Sequence, residues 1–205
     1  MIFSSPIVLN EGQPSSLVSD QPIDIALTLV LAEMKGRFID ADRGVVCYKA
    51  IHASPEFEQY RRLTGGLRSF DLRSLQSRDQ QLAFWINIYN TGVIHGVIEL
   101  GLQASVKECR RFFERVSYEI GNFHFSLDEI EHGVLRGNQR PPYHLLRPFR
   151  KGDPRLTFIV QPMDPRVHFA LVCGARSCPP SRFTKHRRLI FSFNWPQRAL
   201  STVLR

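Results

Sequence analysis

"DQQLAFWINIYNTGVIHGVIELG", residues 79–101, decides how the rest of the chain is read. At about 100° per residue, Leu82, Trp85, Ile86, Tyr89, Val93, Ile94, Val97 and Ile98 cover far more than one face of a helix, so the helix is buried. The same wheel sets Asn87 between the directions of Ile94 and Ile98, and Asn90 beside Val97, which turns both amides into protein. Each then needs partners, because an unsatisfied buried amide costs about 1–3 kcal/mol. Two arrangements satisfy that need. The amides pin neighbouring loop backbone, or they line a polar pocket. His95 and Glu99, four residues apart, lie on one strip and can pair.

The helix has clear ends. Ser77 and Gln80 have the capping-box form, and Gly101 stands just past the C-terminus. The run has roughly the ~20 residues that a bilayer span needs, but its carboxamides, imidazole and carboxylate would be expensive in lipid. The spacing therefore predicts a core helix and no membrane span.

Upstream, residues 1–21 are rich in Ser, Pro and Gly and read as a loose lead-in. "PIDIALTLVLAEMKG" predicts an apolar helix closed by Gly36. "SPEFEQYRRLTGG" predicts an amphipathic one, capped by Ser54, with Pro55 in its first turn and Gly65-Gly66 at its end.

Downstream, a polar helix is expected around 103–114, and then the period changes. "VSYEIGNFHFSL" alternates about Gly121-Asn122, which predicts a β-hairpin. Ser126 and Glu129 form a second capping box, opening a short helix that Gly137 closes. "QRPPYHLLRPFRKGDP" is a Pro- and Arg-rich loop, and "RLTFIVQP" and "PRVHFALVCG" read as two more strands. The expected class is α+β: N-terminal helices with a buried central helix, then an antiparallel hairpin and further strands. The expected layout is a single domain over 22–183, followed by a basic, divergent tail over 184–205.

With 205 residues, 43% hydrophobic and 22% charged, the composition is that of an ordinary globular protein. The net charge of +8 is concentrated at one end. All 19 acidic residues lie at or before Asp164, and the last 41 residues carry eight Arg or Lys and no acid. Residues 1–164 sum to zero, so the high pI gives no general sign of nucleic-acid binding, and "KHRR" at 185–188 is only a local patch. No export leader is read at the N-terminus. The four cysteines (Cys47, Cys109, Cys173, Cys178) then fit free thiols in a reducing, cytoplasmic setting. Their spacing matches no zinc ligand set, and no cofactor motif is present.

The chemistry-bearing candidates cluster late. On a strand over 166–173, Cys173 would share a face with Val167, Phe169 and Leu171, opposite His168, which rules out a Cys173–His168 dyad. Cys178 follows "GARS" and precedes Pro179-Pro180. A loop thiol beside Arg176 could have a depressed pKa and act as a nucleophile, with His168 or His132 as its base. Glu131 does not orient His132 by adjacency, because helix neighbours diverge by about 100°.

"AFWINIYNTGVIH" (83–95), "SLDEIEHGVLR" (126–136) and "DPRVHFALVCGARSCPP" (164–180), in that order and spacing, resemble the three signature blocks of the domain of unknown function 547 family. "KGRFIDADRGVVCYKAIHASPEFEQY" resembles its opening segment, so the likeness spans roughly 22–183. The family's relatives follow leucine zippers in plants, join glutaredoxin-like and DEP modules elsewhere, or stand alone in bacteria. The resemblance implies a set of motif positions: Asn87, Tyr89, Asn90, His95, Glu131, His132, Arg136, Arg166, His168, Cys173 and Cys178. It carries no activity with it. Two departures stand out. Val172 replaces the usual Asn before Cys173, and "SRFTKHRRLIFSFNWPQRALSTVLR" replaces the family's helical continuation, which reads as a truncated C-terminus.

Two functions are consistent with these residues. One is a binding or scaffold module that takes a protein or peptide partner, or a small polar ligand, at Asn87, Asn90, His95, Glu131, Arg136, Arg166 and Cys173. The other is a thiol-dependent hydrolase or transferase using Cys178 with His168 or His132. The first asks less of the cysteines.

Overall fold

The computed structural model describes residues 5–13, 21–40, 45–46, 48–103 and 105–171. Strand β1 (Ile7–Val8) lies parallel to residues 116–117, so part of the expected loose lead-in is joined to the sheet. Asn10 holds it there. Its amide donates to the carbonyls of Thr64 (3.1 Å) and Glu119 (2.8 Å), and its oxygen accepts from the Glu119 N–H at 2.9 Å.

Helix α1 (Ile23–Phe38) buries Ile23, Asp24, Leu27, Leu31 and Met34 along one face. It runs through Gly36, where the sequence predicted its end. An interior glycine costs only about 1 kcal/mol, too little to stop a helix whose face is packed. A small antiparallel pair, β2 (Ile39–Asp40) and β3 (Val45–Val46), leads to α2 (Tyr48–His52) and α3 (Pro55–Gly65). Ser54 caps α3 as expected, its hydroxyl accepting from the Phe57 N–H at 3.2 Å. Gly66 keeps an ordinary φ of −62°, so the chain tightens into a 3-10 turn over Gly66–Ser69.

Central helix α4 (Arg78–Glu99) has both arms of its capping box: Ser77 N–H donates to Gln80 at 3.0 Å and Gln80 N–H to Ser77 at 3.2 Å. Every residue from Phe84 to Ile98 is buried. Two glycines allow this. A Cβ at Gly92 would sit 2.9 Å from Leu127, and one at Gly96 would sit 2.9 Å from Val116. Four residues apart, they clear one strip of the helix so that the sheet rests on its backbone.

The polar helix expected at 103–114 is two pieces, a 3-10 turn over Val106–Glu108 and α5 (Phe112–Arg115). Arg111, at φ 57°, breaks the ladder between them. The hairpin forms as read: β4 (Val116–Ile120) pairs with β5 (Phe123–Ser126), and Gly121 and Asn122 both take positive φ, as a two-residue turn of this hand requires. The sheet order is β1-β4-β5.

The second capping box is also present, with Ser126 N–H donating to Glu129 at 2.9 Å and Glu129 N–H to Ser126 at 3.1 Å. The helix it opens is wider than predicted. Glu129–Leu135 is a π-helix, with Arg136 N–H donating to Glu131 O and Asn138 N–H to Gly133 O, each five residues back. Gly137, at φ 68°, ends it.

Neither late strand is present among the described residues. Asp153 accepts from Arg155 N–H and turns Pro154–Phe158 into a 3-10 helix. Asp164 accepts from Arg166 N–H ahead of α6 (Val167–Ala170). Asp and Pro at these starts outweigh the β-branched residues that suggested strands. The alternation that set His168 opposite Cys173 therefore does not apply. The class is α+β as expected, with the helices first. No helix among the described residues is long and apolar enough to cross a membrane.

Candidate functional site

The residues singled out from sequence fall into separate polar groups, because α4 sends its buried polar side chains in different directions. Asn87 faces α1 and donates to the Asp24 carboxylate at 2.8 Å, while its own oxygen finds no partner among the described residues. Burial raises the Asp24 pKa above the usual carboxylate value. His95 faces the other way. Its Nδ1 lies 2.9 Å from the Tyr118 hydroxyl, which in turn lies 3.2 Å from the Tyr60 hydroxyl. Full burial, with the Arg61 charge nearby, pushes the His95 pKa down to about 3 and keeps the ring neutral. The expected His95–Glu99 pair is a 3.8 Å approach rather than a hydrogen bond.

Tyr89 and Asn90 leave α4 on a third side, toward the π-helix and α6. The Tyr89 hydroxyl donates to Glu131 at 3.1 Å. Glu131 accepts from Arg136 at 2.8 Å, and the same Arg136 nitrogen donates to His168 Nδ1 at 3.1 Å. Asn90 donates to the Ala170 carbonyl at 2.9 Å, holding the last turn of α6 and so the element that carries His168. His168 itself is exposed. Arginine has only donors, so the Nδ1 of His168 must accept and its Nε2 carries the proton. The result is an ordered row: phenol, carboxylate, guanidinium, imidazole.

His132 belongs to a neighbouring relay. The Tyr143 hydroxyl donates its single proton to Asp128 at 2.6 Å, so it accepts from His132 Nε2–H at 2.9 Å. Burial lowers the His132 pKa, and the carboxylates of Glu131 and Asp128 oppose that shift. Glu131 is 3.9 Å from His132 Nε2, close but not bonded, as adjacency on a helix predicts. Arg166 is occupied elsewhere: it forms a two-pronged pair with Asp164 at 2.9 and 2.7 Å, and holds that carboxyl well below the usual range. Cys173 and Cys178 lie outside the described residues. No group of three or more His, Cys, Asp or Glu among the described residues is arranged to hold a metal.

Three participants escaped the sequence reading: Asp128, Tyr143 and Arg155. Tyr143 lies in the Pro- and Arg-rich loop, where its only signal was a lone phenol among turn residues. Arg155 sits 4.4 Å over the Phe149 ring, pairs with Glu129 at 2.9 Å and Asp153 at 2.8 Å, and donates to the His124 carbonyl at 2.7 Å. It locks hairpin, π-helix and loop together behind the row.

A family model described as protein of unknown function, DUF547, matches residues 72–192, which enclose both the row and the relay. No curated protein and no solved structure matches the chain.

Proposed function

The chain belongs to the DUF547 family, and from that premise we propose that it is a binding module whose polar site centres on Glu131, Arg136 and His168. What carries this reading is the state of Arg136. One of its terminal nitrogens is fixed by Glu131 and His168, and the remaining N–H groups make no hydrogen bond among the described residues. A guanidinium held in place, with donors that make no hydrogen bond among the described residues and with the exposed His168 imidazole beside it, suits an acceptor oxygen. The fitting ligands are a protein or peptide segment presenting carboxylate or carbonyl oxygens, or a small polar molecule of the same kind. Asn87 and His95 serve the fold in this reading, and Asn90 positions α6.

The test is a titration of the ¹⁵N-labelled chain with a library of small carboxylate and amide fragments, read by NMR. Shifts should gather at Arg136, His168 and Tyr89 and vanish in Arg136→Ala. Binding that ignores Arg136→Ala would sink the reading.

The thiol alternative draws its support from the Asp128–Tyr143–His132 relay, which orients an imidazole and leaves Nδ1 as its basic nitrogen. His168 suits the role of base less well, because its lone pair already accepts from Arg136. Alkylation rate against pH separates the two readings. Fast reaction of Cys178 with a pKa well below ~8.5 favours the enzyme, and a slow, unshifted thiol removes it.

A further inference from the structure

The loop between the π-helix and Pro154 is held at several points, yet it presents two leucines outward. Asn138 brackets Phe149 from both sides, donating to its carbonyl at 3.0 Å and accepting from its N–H at 2.9 Å. Phe149 is buried against Gly133. Tyr143 is tied to Asp128, and His144 lies 3.4 Å from Glu114. Between these anchors Leu145 is 88% exposed and Leu146 is 68% exposed. Residues 137–152 carry Arg140, Arg147, Arg150 and Lys151, all exposed, and no acid. None of these four forms an ion pair among the described residues.

We infer that this loop is a docking surface for a protein segment that combines acidic and apolar side chains. Two exposed leucines flanked by cations that form no ion pair among the described residues call for an apolar anchor with carboxylates around it. The chain's own C-terminal stretch is a poor occupant, because residues 165–205 have eight basic side chains and no acid. A second copy docked loop to loop would set two acid-free basic segments against each other. A lipid surface would match the charge but not the geometry. Tyr143, itself 61% exposed, borders the His132 relay, and the exposed Phe169 packs 5.5 Å from His168. Apolar side chains thus lie near the directional donors of Arg136 and His168, which a folded or extended peptide can match and a fluid headgroup layer cannot. The inference rests on the binding reading above and names its partner class.

The experiment is selection of a random dodecapeptide phage library on the whole chain. Selected peptides are then synthesised and their affinities measured by fluorescence anisotropy, beside sedimentation with 7:3 phosphatidylcholine–phosphatidylserine vesicles. The expected peptides are enriched in Asp or Glu together with Leu, Phe or Trp. They should bind at least 30-fold more weakly to the Leu145→Ser/Leu146→Ser double variant, and at least 10-fold more weakly to Arg147→Glu. Circular dichroism melting should be unchanged in these surface variants. No acidic–apolar enrichment, or equal affinity for the double variant, overturns the inference. So does vesicle binding that needs the two leucines while no peptide is selected, which would make the surface a lipid one. Loss in the loop variant with Arg136→Ala unaffected keeps the docking surface and detaches it from the polar row. The reverse pattern keeps the row and removes the surface.

Discussion

Arg136 and His168, 32 residues apart in sequence, meet with a guanidinium nitrogen 3.1 Å from imidazole Nδ1. An arginine cannot accept a hydrogen bond, so this one contact assigns the tautomer of His168. Long-range ¹H–¹⁵N spectra at pH 8 should show His168 with its proton on Nε2. Arg136→Ala should convert it to a mixture of tautomers. A wild-type His168 protonated on Nδ1 would mean that the contact does not form in solution.

Gly133 faces the Phe149 ring so closely that an added Cβ would lie 2.6 Å from two ring carbons. Gly133→Ala should therefore destabilise the chain by about 1–3 kcal/mol, the usual cost of overpacking. Urea denaturation measures it, and Phe149→Leu in the same chain should recover part of the loss. A neutral Gly133→Ala would show that the ring moves freely, which the clamp by Asn138 argues against.

Asn138 combines two buried hydrogen bonds with a left-handed backbone at φ 58°. Asn138→Ala loses both and adds backbone strain, so a cost of about 2–4 kcal/mol is expected. Asn138→Gly relieves the strain alone and should fall between alanine and wild type in the same urea measurement.

Burial raises the Asp24 carboxyl above its ordinary value of 3.8, against the opposing hydrogen bond from Asn87. The folded state therefore binds this proton more tightly than the unfolded chain does. Stability from this group is fully present below about 3.8 and is lost as pH rises through the folded pKa. Asp24→Asn lacks the titration. Its stability relative to wild type should increase on going from pH 3.5 to neutral, as read by urea midpoints. A constant difference would place the ionisable group in solvent.

His95 gives the opposite sign. Burial, and then the Arg61 charge, lower its pKa from 6.5 to about 3, so the unfolded chain takes up a proton that the folded one refuses. Stability is intact above about 6.5 and falls as pH drops toward 3, by at most about 1.4 kcal/mol per pH unit. His95→Asn should lose less than wild type between pH 6.5 and pH 4.5. Parallel curves would contradict the buried, neutral imidazole.

Much of this protein is legible in its sequence. Local rules fixed the two capping boxes, the Gly121-Asn122 hairpin and the burial of α4, because each depends on residues within a few positions of one another. The wheel also turned Asn87 and Asn90 inward correctly. What it could not supply was their partners, since Asp24 is 63 residues from Asn87 and Ala170 is 80 from Asn90. Local rules failed where two signals competed. Val, Ile and Phe in 155–162 and 165–171 suggest strands, but Asp153 and Asp164 fold back on the next N–H groups and start helical turns instead.

The sequence by itself determined which helix must be buried and which of its polar side chains turn inward. Only the tertiary structure decided that the polar residues of α4 go to three separate groups rather than one pocket. Residues a few positions apart on a fully buried helix point to different neighbours, and which neighbour each meets is set by long-range packing. The same packing widened residues 129–135 into a π-helix and turned Tyr143 back onto Asp128. Both outcomes depend on contacts that no short-range pattern encodes.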